Sequence, residues 1–205
     1  MNSSIILAGG ESSRFGKNKS LLELDNKPLI TWVISALANF GELIISISSE
    51  DDISIYDNLI GHPHKFIIDI IHKQGPFGGL LSAATASEGE YIAFAPCDAP
   101  LVTEELYEIL FEAAKGAEGA VPKINGYWEP LVAVYKKDPL ITLLETNLKL
   151  NKIRLGLICE TLDIREVRSD ELAVQNIGPE HFLNINTPED LEKAENIIKN
   201  RIYKR

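Results

Sequence analysis

Cysteine and histidine are scarce. The 205-residue chain has two cysteines, Cys97 and Cys159, far apart and in no Cys-x-x-Cys or Cys/His cluster. Neither a disulfide scaffold nor a zinc site is expected, and a reducing, cytoplasmic setting fits best. The four histidines are scattered, with His62 and His64 beside a loop proline, and offer no Ser-His-Asp arrangement or metal-ligand spacing. No window approaches the roughly 20 apolar residues that cross a membrane. The N-terminus lacks a basic n-region, so no signal peptide is expected. Cations are outnumbered, with 20 Lys and Arg against 30 Asp and Glu and a formal charge of -10. That balance argues against non-specific nucleic-acid binding, but leaves room for a phosphorylated small molecule in a locally basic pocket. No repeat, low-complexity tract or linker divides the chain, so one domain around one good-sized core is expected.

What is there begins at the N-terminus. Ser4-Ile5-Ile6-Leu7 reads as a short buried parallel strand. It empties into Ala8-Gly9-Gly10 and then three cations within six residues, Arg14, Lys17 and Lys19. Gly9 and Gly10 let the backbone approach a ligand without interference from Cβ. Successive N–H groups can then form an anion nest whose charge the cations neutralise. A Gly-Gly pair after a strand is more often a plain turn, so the cations carry the argument. A Walker loop is excluded, because Gly10 and Gly16 are separated by five residues and Lys17 is followed by Asn18 rather than a hydroxyl residue.

The rest of the first half alternates strands and helices. Leu21 to Leu24 is extended and turned by Asp25-Asn26, and a helix begins at Pro28 with Leu29, Trp32, Val33, Ala36 and Leu37 on one face. Strands are expected at Glu42–Ser48, at Phe66–Ile71 with Asp69 inserted, and at Tyr91–Ala95. An acidic helix covers about 51–59. Gly75-Pro76-Phe77-Gly78-Gly79 is a second glycine-rich turn before a small-residue helix from Leu80 to about Ala86, and Thr103 caps a helix to about Lys115. This is α/β patterning, a mostly parallel sheet with helices on both faces. Ligands bind such sheets beyond the carboxyl ends of the strands, so the opening loop, Asp69 with its glycine turn, and Asp98 should converge along one edge.

The pattern changes after Gly119. Val121–Ile124 and Glu129–Tyr135 flank Asn125-Gly126 as a hairpin. Helices follow near 138–148 and 152–162, a strand at Ile164–Val167 and a short strand at Phe182–Asn186. Thr187 and Asp190 form a capping box that opens the last helix.

Asp98 ends a buried strand beside the cationic loop. It is either a turn former or a magnesium ligand, since that cation takes one or two carboxylates plus phosphate oxygens and waters. Asn184 and Asn186 supply further oxygens or an Asx turn. The missing histidine base is informative. A phosphate monoester, with its second ionisation near pH 6, is its own nucleophile at neutral pH, and catalysis then reduces to alignment and charge cancellation.

Four motifs together resemble the molybdenum cofactor guanylyltransferases. They are Leu-Ala-Gly-Gly-x-Ser-x-Arg-x-Gly-x-x-Lys at 7–19, Gly75-Pro76-x-x-Gly79-Leu80, Pro96-Cys97-Asp98-x-Pro100-Leu101, and Asn184-Ile185-Asn186-Thr187-Pro188-Glu189-Asp190-Leu191. The resemblance implies a single Rossmann-like nucleotidyltransferase domain of three layers, with a nucleotide-binding half over about 1–115 and an acceptor-binding half over about 116–205. It implies transfer of GMP from Mg-GTP to the phosphate of the molybdopterin cofactor, with release of pyrophosphate. Leu7, Ala8, Gly9 and Gly10 would bind the nucleotide, Arg14 and Lys19 the triphosphate, and Asp98 the Mg2+ ion. Asp69 would read the guanine edge, with His72 in that place after a slip in register. Ser46 or Ser48 stands where relatives place an asparagine against the nucleotide, and Gly75 and Gly79 shape the second turn. Asn184 and Asn186 would lie on the pterin or metal side, and Glu129-Pro130 would border the pterin pocket. GTP and the molybdopterin cofactor are the implied substrates, with transient contact to other cofactor-biosynthesis proteins or molybdoenzymes. The rival readings are a sister enzyme using CTP on the same pterin, one carrying GTP to another acceptor such as adenosylcobinamide phosphate, and a non-catalytic nucleotide-binding partner of molybdoenzymes.

Overall fold

The computed structural model describes residues 1–9, 18–50, 53–69, 71 and 74–202. Its centre is β1 (Asn2–Leu7), flanked by β4 (Glu42–Ile47) and β6 (Tyr91–Pro96), while β2 (Glu23–Leu24) and β3 (Lys27–Pro28) pair as a separate two-stranded ribbon. Both neighbours run parallel to it, with Leu7 opposite Ser46 on one side and Pro96 on the other. β5 (Lys65–Ile68) extends the sheet beyond β4. On the far side of β6 the sheet continues through β9 (Ala133–Lys136), β7 (Gly119–Ile124) and β10 (Ile164–Arg168), giving the order β10-β7-β9-β6-β1-β4-β5. β9 is antiparallel to both of its neighbours. The sheet is therefore mixed but mostly parallel, as expected from the alternation of strands and helices.

Both faces of the sheet are buried, and side chains alternate between them because strand periodicity is two. Ile6, Ile45, Ala93 and Val134 face one core, packed by α1 (Leu29–Leu37), α2 (Ile53–Asp57) and α4 (Glu104–Ala113). Ile5, Ile44, Phe94 and Tyr135 face the other, packed by α3 (Pro76–Ala86), α5 (Lys137–Lys149) and α6 (Gly156–Thr161). Three layers result. A smaller cluster joins Leu24, Leu29, Leu101 and Ile185 to Ala194 and Ile198 of α8 (Pro188–Ile202). That cluster holds the C-terminal segment against the carboxyl edge of β6, which is where the site lies.

Several elements differ from the sequence reading, each for a local reason. The third parallel strand stops at Ile68, because the Asp69 carboxylate accepts the Ile71 N–H at 2.8 Å and turns the chain. The helix expected from Leu80 begins four residues earlier, with Pro76 at its first position and Gly75 at φ 56° before it. Phe77, Gly78 and Gly79 are thus its first turn. Asn125 and Gly126, at φ 51° and 86°, make the expected tight turn. It joins β7 to the two-residue β8 (Tyr127–Trp128), and β9 continues along that same edge of β7, with β10 on the other edge. The helix near 152–162 is confined to Gly156–Thr161. No strand forms at 182–186. That segment runs irregularly, and its Ile185 N–H donates to the Asp98 carbonyl at 2.8 Å rather than to a ladder. α7 (Ser169–Ala173) was not anticipated. The start of the acidic helix at 51 and 52 lies outside the described residues.

Candidate active site

β1 has β4 on one side and β6 on the other, so the chain leaves the sheet in opposite directions from these adjacent strands. Their carboxyl ends open a crevice at the point where ligands bind in this architecture. The crevice is a cavity of about 610 Å³. Its polar lining comes from the end of β1 and the return of the glycine-rich stretch (Ala8, Gly9, Asn18, Lys19) together with Asp98, Asn184 and Asn186. Glu129, Pro130, Leu131, Val132 and Leu155 line it as well. The convergence expected from strand order is therefore real for the opening loop and Asp98.

Lys19 and Asp98 form an ion pair, and the same ammonium donates to Asn186 Oδ1 at 2.7 Å. Their side chains are only 16% and 20% exposed, so solvent screens the pair less than a surface bridge. Asn186 is fixed in turn, because its N–H and that of Thr187 both donate to Asp190 Oδ2 at 2.9 Å. Thr187 Oγ1 accepts the Asp190 N–H at 3.2 Å, which completes the expected capping box. The amide of Asn186, followed by the Thr187 hydroxyl and amide, holds the Asp190 carboxyl below the usual range.

Asn184 Oδ1 is buried and has no hydrogen-bond partner among the described residues. A buried carbonyl oxygen without a partner is costly, and this residue lines the cavity. Asp98, Asn184 and Asn186 thus offer hard oxygen donors. Among the described residues there is no group of three or more His, Cys, Asp or Glu that could hold a metal alone. The donor set suits a cation that a ligand's own phosphates help to bind. Cys97 is no nucleophile here, since burial and then the neighbouring Asp98 push its thiol up to about 12.

A second group gathers at the start of α3. Ser46 is 2% exposed and lies beneath this helix, its hydroxyl 3.4 Å from the Gly79 carbonyl. A Cβ at Gly79 would come within 3.0 Å of that hydroxyl. Asp69 Oδ1 accepts from Ile71 N at 2.8 Å and Ser82 Oγ at 3.3 Å. Leu7 links the two groups, lining the cavity and lying under Gly79. Gly9 is close-packed for the same reason, since a Cβ there would meet Ser48 Oγ at 2.9 Å. Gly10, Arg14 and His72 lie outside the described residues.

The resemblance implies Glu129-Pro130 at the border of a pocket, and they do line the cavity, but nothing in the sequence singles out Leu131, Val132 and Leu155 beside them. Glu129 is half-buried and has no ionic partner among the described residues, and burial raises its carboxyl above the usual 4.5. An acidic residue between Trp128 and Pro130 in an otherwise apolar run was the available signal.

The chain matches the MobA-like NTP transferase domain family over residues 4–155. It belongs to that family. It is accordingly a nucleotidyltransferase, with the fold and class that its opening motif implied. A "Probable molybdenum cofactor guanylyltransferase" of Natronomonas pharaonis is 30% identical over 192 residues, covering 93% of this chain and 95% of that one. A protein of the same name from Bacillus anthracis is 30% identical over 203 residues, with 96% and 97% coverage. Among solved structures, molybdopterin-guanine dinucleotide biosynthesis protein A of Archaeoglobus fulgidus superposes with a TM-score of 0.82 at 26% identity, over 97% of this chain and 99% of that one. The family match ends at 155, whereas these full-length similarities extend through the segment that carries Asn184 and Asn186. No helix among the described residues is long and apolar enough to cross a membrane.

Proposed function

We propose that the chain transfers GMP from magnesium-bound GTP to the terminal phosphate of the molybdopterin cofactor. A phosphate oxygen of the acceptor attacks the α-phosphorus of GTP, the bond from that phosphorus to the α,β-bridging oxygen breaks, and pyrophosphate leaves. No protein base is needed, because the acceptor phosphate is mostly dianionic at neutral pH. The reaction asks the protein to align two anions and cancel their charge. The observation that supports this best is Lys19, Asp98 and Asn186 gathered in contact in a cavity also lined by Leu131, Val132, Leu155 and the Glu129 carboxyl.

In this reading the backbone at Leu7, Ala8, Gly9 and Gly10 receives the nucleotide. Lys19 and Arg14 hold the triphosphate, and Lys19 gives up Asp98 as it does so. Asp98 would hold Mg2+, with Asn184 or Asn186 as a further oxygen donor; the ion neutralises charge on the phosphates when bound. Asp69, oriented through Oδ1 by Ile71 and Ser82, presents Oδ2 to the two donors of the guanine edge, with Gly75, Gly79 and Ser46 shaping the floor beside it. Glu129 faces the acceptor, where a pterin's ring N–H and exocyclic amine offer a similar pair of donors. The names of the relatives support both substrates. A cytoplasmic setting and transient contact with proteins that make or use the cofactor belong to the same reading.

The test is pyrophosphate release with molybdopterin cofactor and magnesium, comparing GTP, CTP and ATP. Release with GTP alone is expected. Release with CTP alone would keep the mechanism and remove Asp69 from guanine recognition. Release only when adenosylcobinamide phosphate replaces the pterin would change the acceptor. GTP binding without release on either acceptor would leave a nucleotide-binding partner.

A further inference from the structure

The chain leaves the sheet at Ala8 and comes back into the site at Asn18, and one side chain touches both ends. Tyr56, on α2, is 0% exposed in the core beneath the site. Asn18 Nδ2 donates to its hydroxyl at 2.9 Å. Ser20 Oγ lies 2.7 Å from the same oxygen, and the Ala8 carbonyl 3.5 Å away. The single proton of the Ser20 hydroxyl goes to Asn18 Oδ1 at 2.7 Å. The proton in the short Tyr56–Ser20 contact must therefore come from Tyr56. The three side chains close a ring, Tyr56 to Ser20 to Asn18 and back to Tyr56, in which every bond points the same way round. Bonds so arranged polarise one another.

Lys19 sits between two members of this ring. Its backbone is held by Asn18 and Ser20 while its ammonium reaches Asp98 and Asn186. Asn18 Oδ1 also accepts the Ser20 N–H at 3.2 Å, fixing the turn on which Lys19 stands. A phenylalanine would satisfy the core packing at 56, and burying a hydroxyl there is unfavourable unless it is hydrogen-bonded. The ring ties this hydroxyl to Asn18 and Ser20, where the glycine-rich stretch returns to the site, and its oxygen lies 3.5 Å from the Ala8 carbonyl at the exit.

We propose that Tyr56 is a positioning residue for nucleoside triphosphate binding. Its hydroxyl fixes Asn18 and Ser20, at the return of the glycine-rich stretch, and so sets where Lys19 meets the phosphates. The inference rests on the reading above that this stretch holds the nucleotide. The test uses the full chain with Tyr56→Phe and Ser20→Ala, measuring Kd for Mg-GTP by calorimetry, KM for both substrates and thermal melting.

Loss of one well-formed bond from the ring should raise Kd and KM for GTP by about three- to tenfold. KM for the pterin should stay unchanged. Because both variants break one ring, the double variant should bind GTP no more weakly than the worse single one. Should Tyr56→Phe fail to fold, Ser20→Ala carries the same expectation. Lowered melting temperatures with GTP affinity unchanged in the variants would overturn the inference, as would additive losses in the double variant. Failure of the wild-type chain to bind GTP would instead overturn the nucleotide site itself, and this inference with it.

Discussion

Lys19 and Asp98, 79 residues apart in sequence, pair with each other at the carboxyl edge of the sheet. Lys19 follows β1 and Asp98 follows β6, so the pair spans the crevice between adjacent parallel strands. Each has a separate task in the proposed reaction, one toward phosphate and the other toward metal. Paired together, each satisfies the other's charge, and in the proposed reaction Mg-GTP entry would exchange that contact for two new ones.

Removal of either partner separates these tasks. Asp98→Asn should lower kcat by about 10²-fold or more, the scale of losing a preorganised electrostatic group, and abolish Mn2+ binding measured by electron paramagnetic resonance. Lys19→Met should also lose turnover, but Mn2+ should bind more tightly in the absence of nucleotide, because no ammonium has to be displaced from Asp98. Weaker Mn2+ binding by Lys19→Met would contradict the exchange.

Glu129 makes a pH-dependent contribution of the unusual sign. Burial raises its carboxyl above 4.5 in the folded chain, so the folded state binds the proton more tightly than the unfolded one. The resulting penalty on stability is present above the folded-state value and vanishes as pH falls below the unfolded-state value. Glu129→Gln should therefore melt higher than wild type at pH 7, with the difference shrinking toward pH 4. The same variant should raise KM for the pterin and leave Kd for GTP unchanged. A matched rise in both would place Glu129 on the nucleotide side.

Gly78 bears on the shape of the corner around Asp69, proposed to read the base. A Cβ there would lie 2.6 Å from the Ile71 carbonyl and 2.8 Å from both Asp69 carboxylate oxygens. Gly78→Ala must move Asp69 or lift α3, and should cost on the order of 1–3 kcal/mol in denaturant unfolding. Preference for GTP over CTP should fall with it. Gly61→Ala is the control, because a Cβ there meets nothing within 4 Å, and it should leave stability within about 1 kcal/mol of wild type.

Much of this architecture was legible because it rests on local rules. The alternation of Ile5 and Ile6 between two cores follows from strand periodicity, and Thr187 with Asp190 from capping chemistry. Asn125-Gly126 announced its turn through the positive φ values it needs. What escaped depended on where backbone groups find partners. Phe182 to Asn186 alternates like a strand, but Ile185 bonds to Asp98 and packs beside Leu101. Asp69 sits in an apolar run, yet its side chain captures the next free N–H and ends the strand. At the site, Asp98 and Lys19 were each identifiable by residue type and position. Their pairing was not, because it depends on how two loops approach across the sheet. Tyr56 gave no signal at all, since its ring reads as core and its hydroxyl acts only through residues brought near by folding.

Nucleotidyl transfer to a phosphorylated pterin is tested most directly by the fate of the GTP phosphates. GTP labelled with ³²P at the α or γ position is incubated with enzyme, magnesium and molybdopterin cofactor, and the products are separated. The α label is expected in the pterin dinucleotide and the γ label in pyrophosphate, both in proportion to added acceptor. A γ label on the acceptor, or release of labelled products independent of the acceptor, would contradict it.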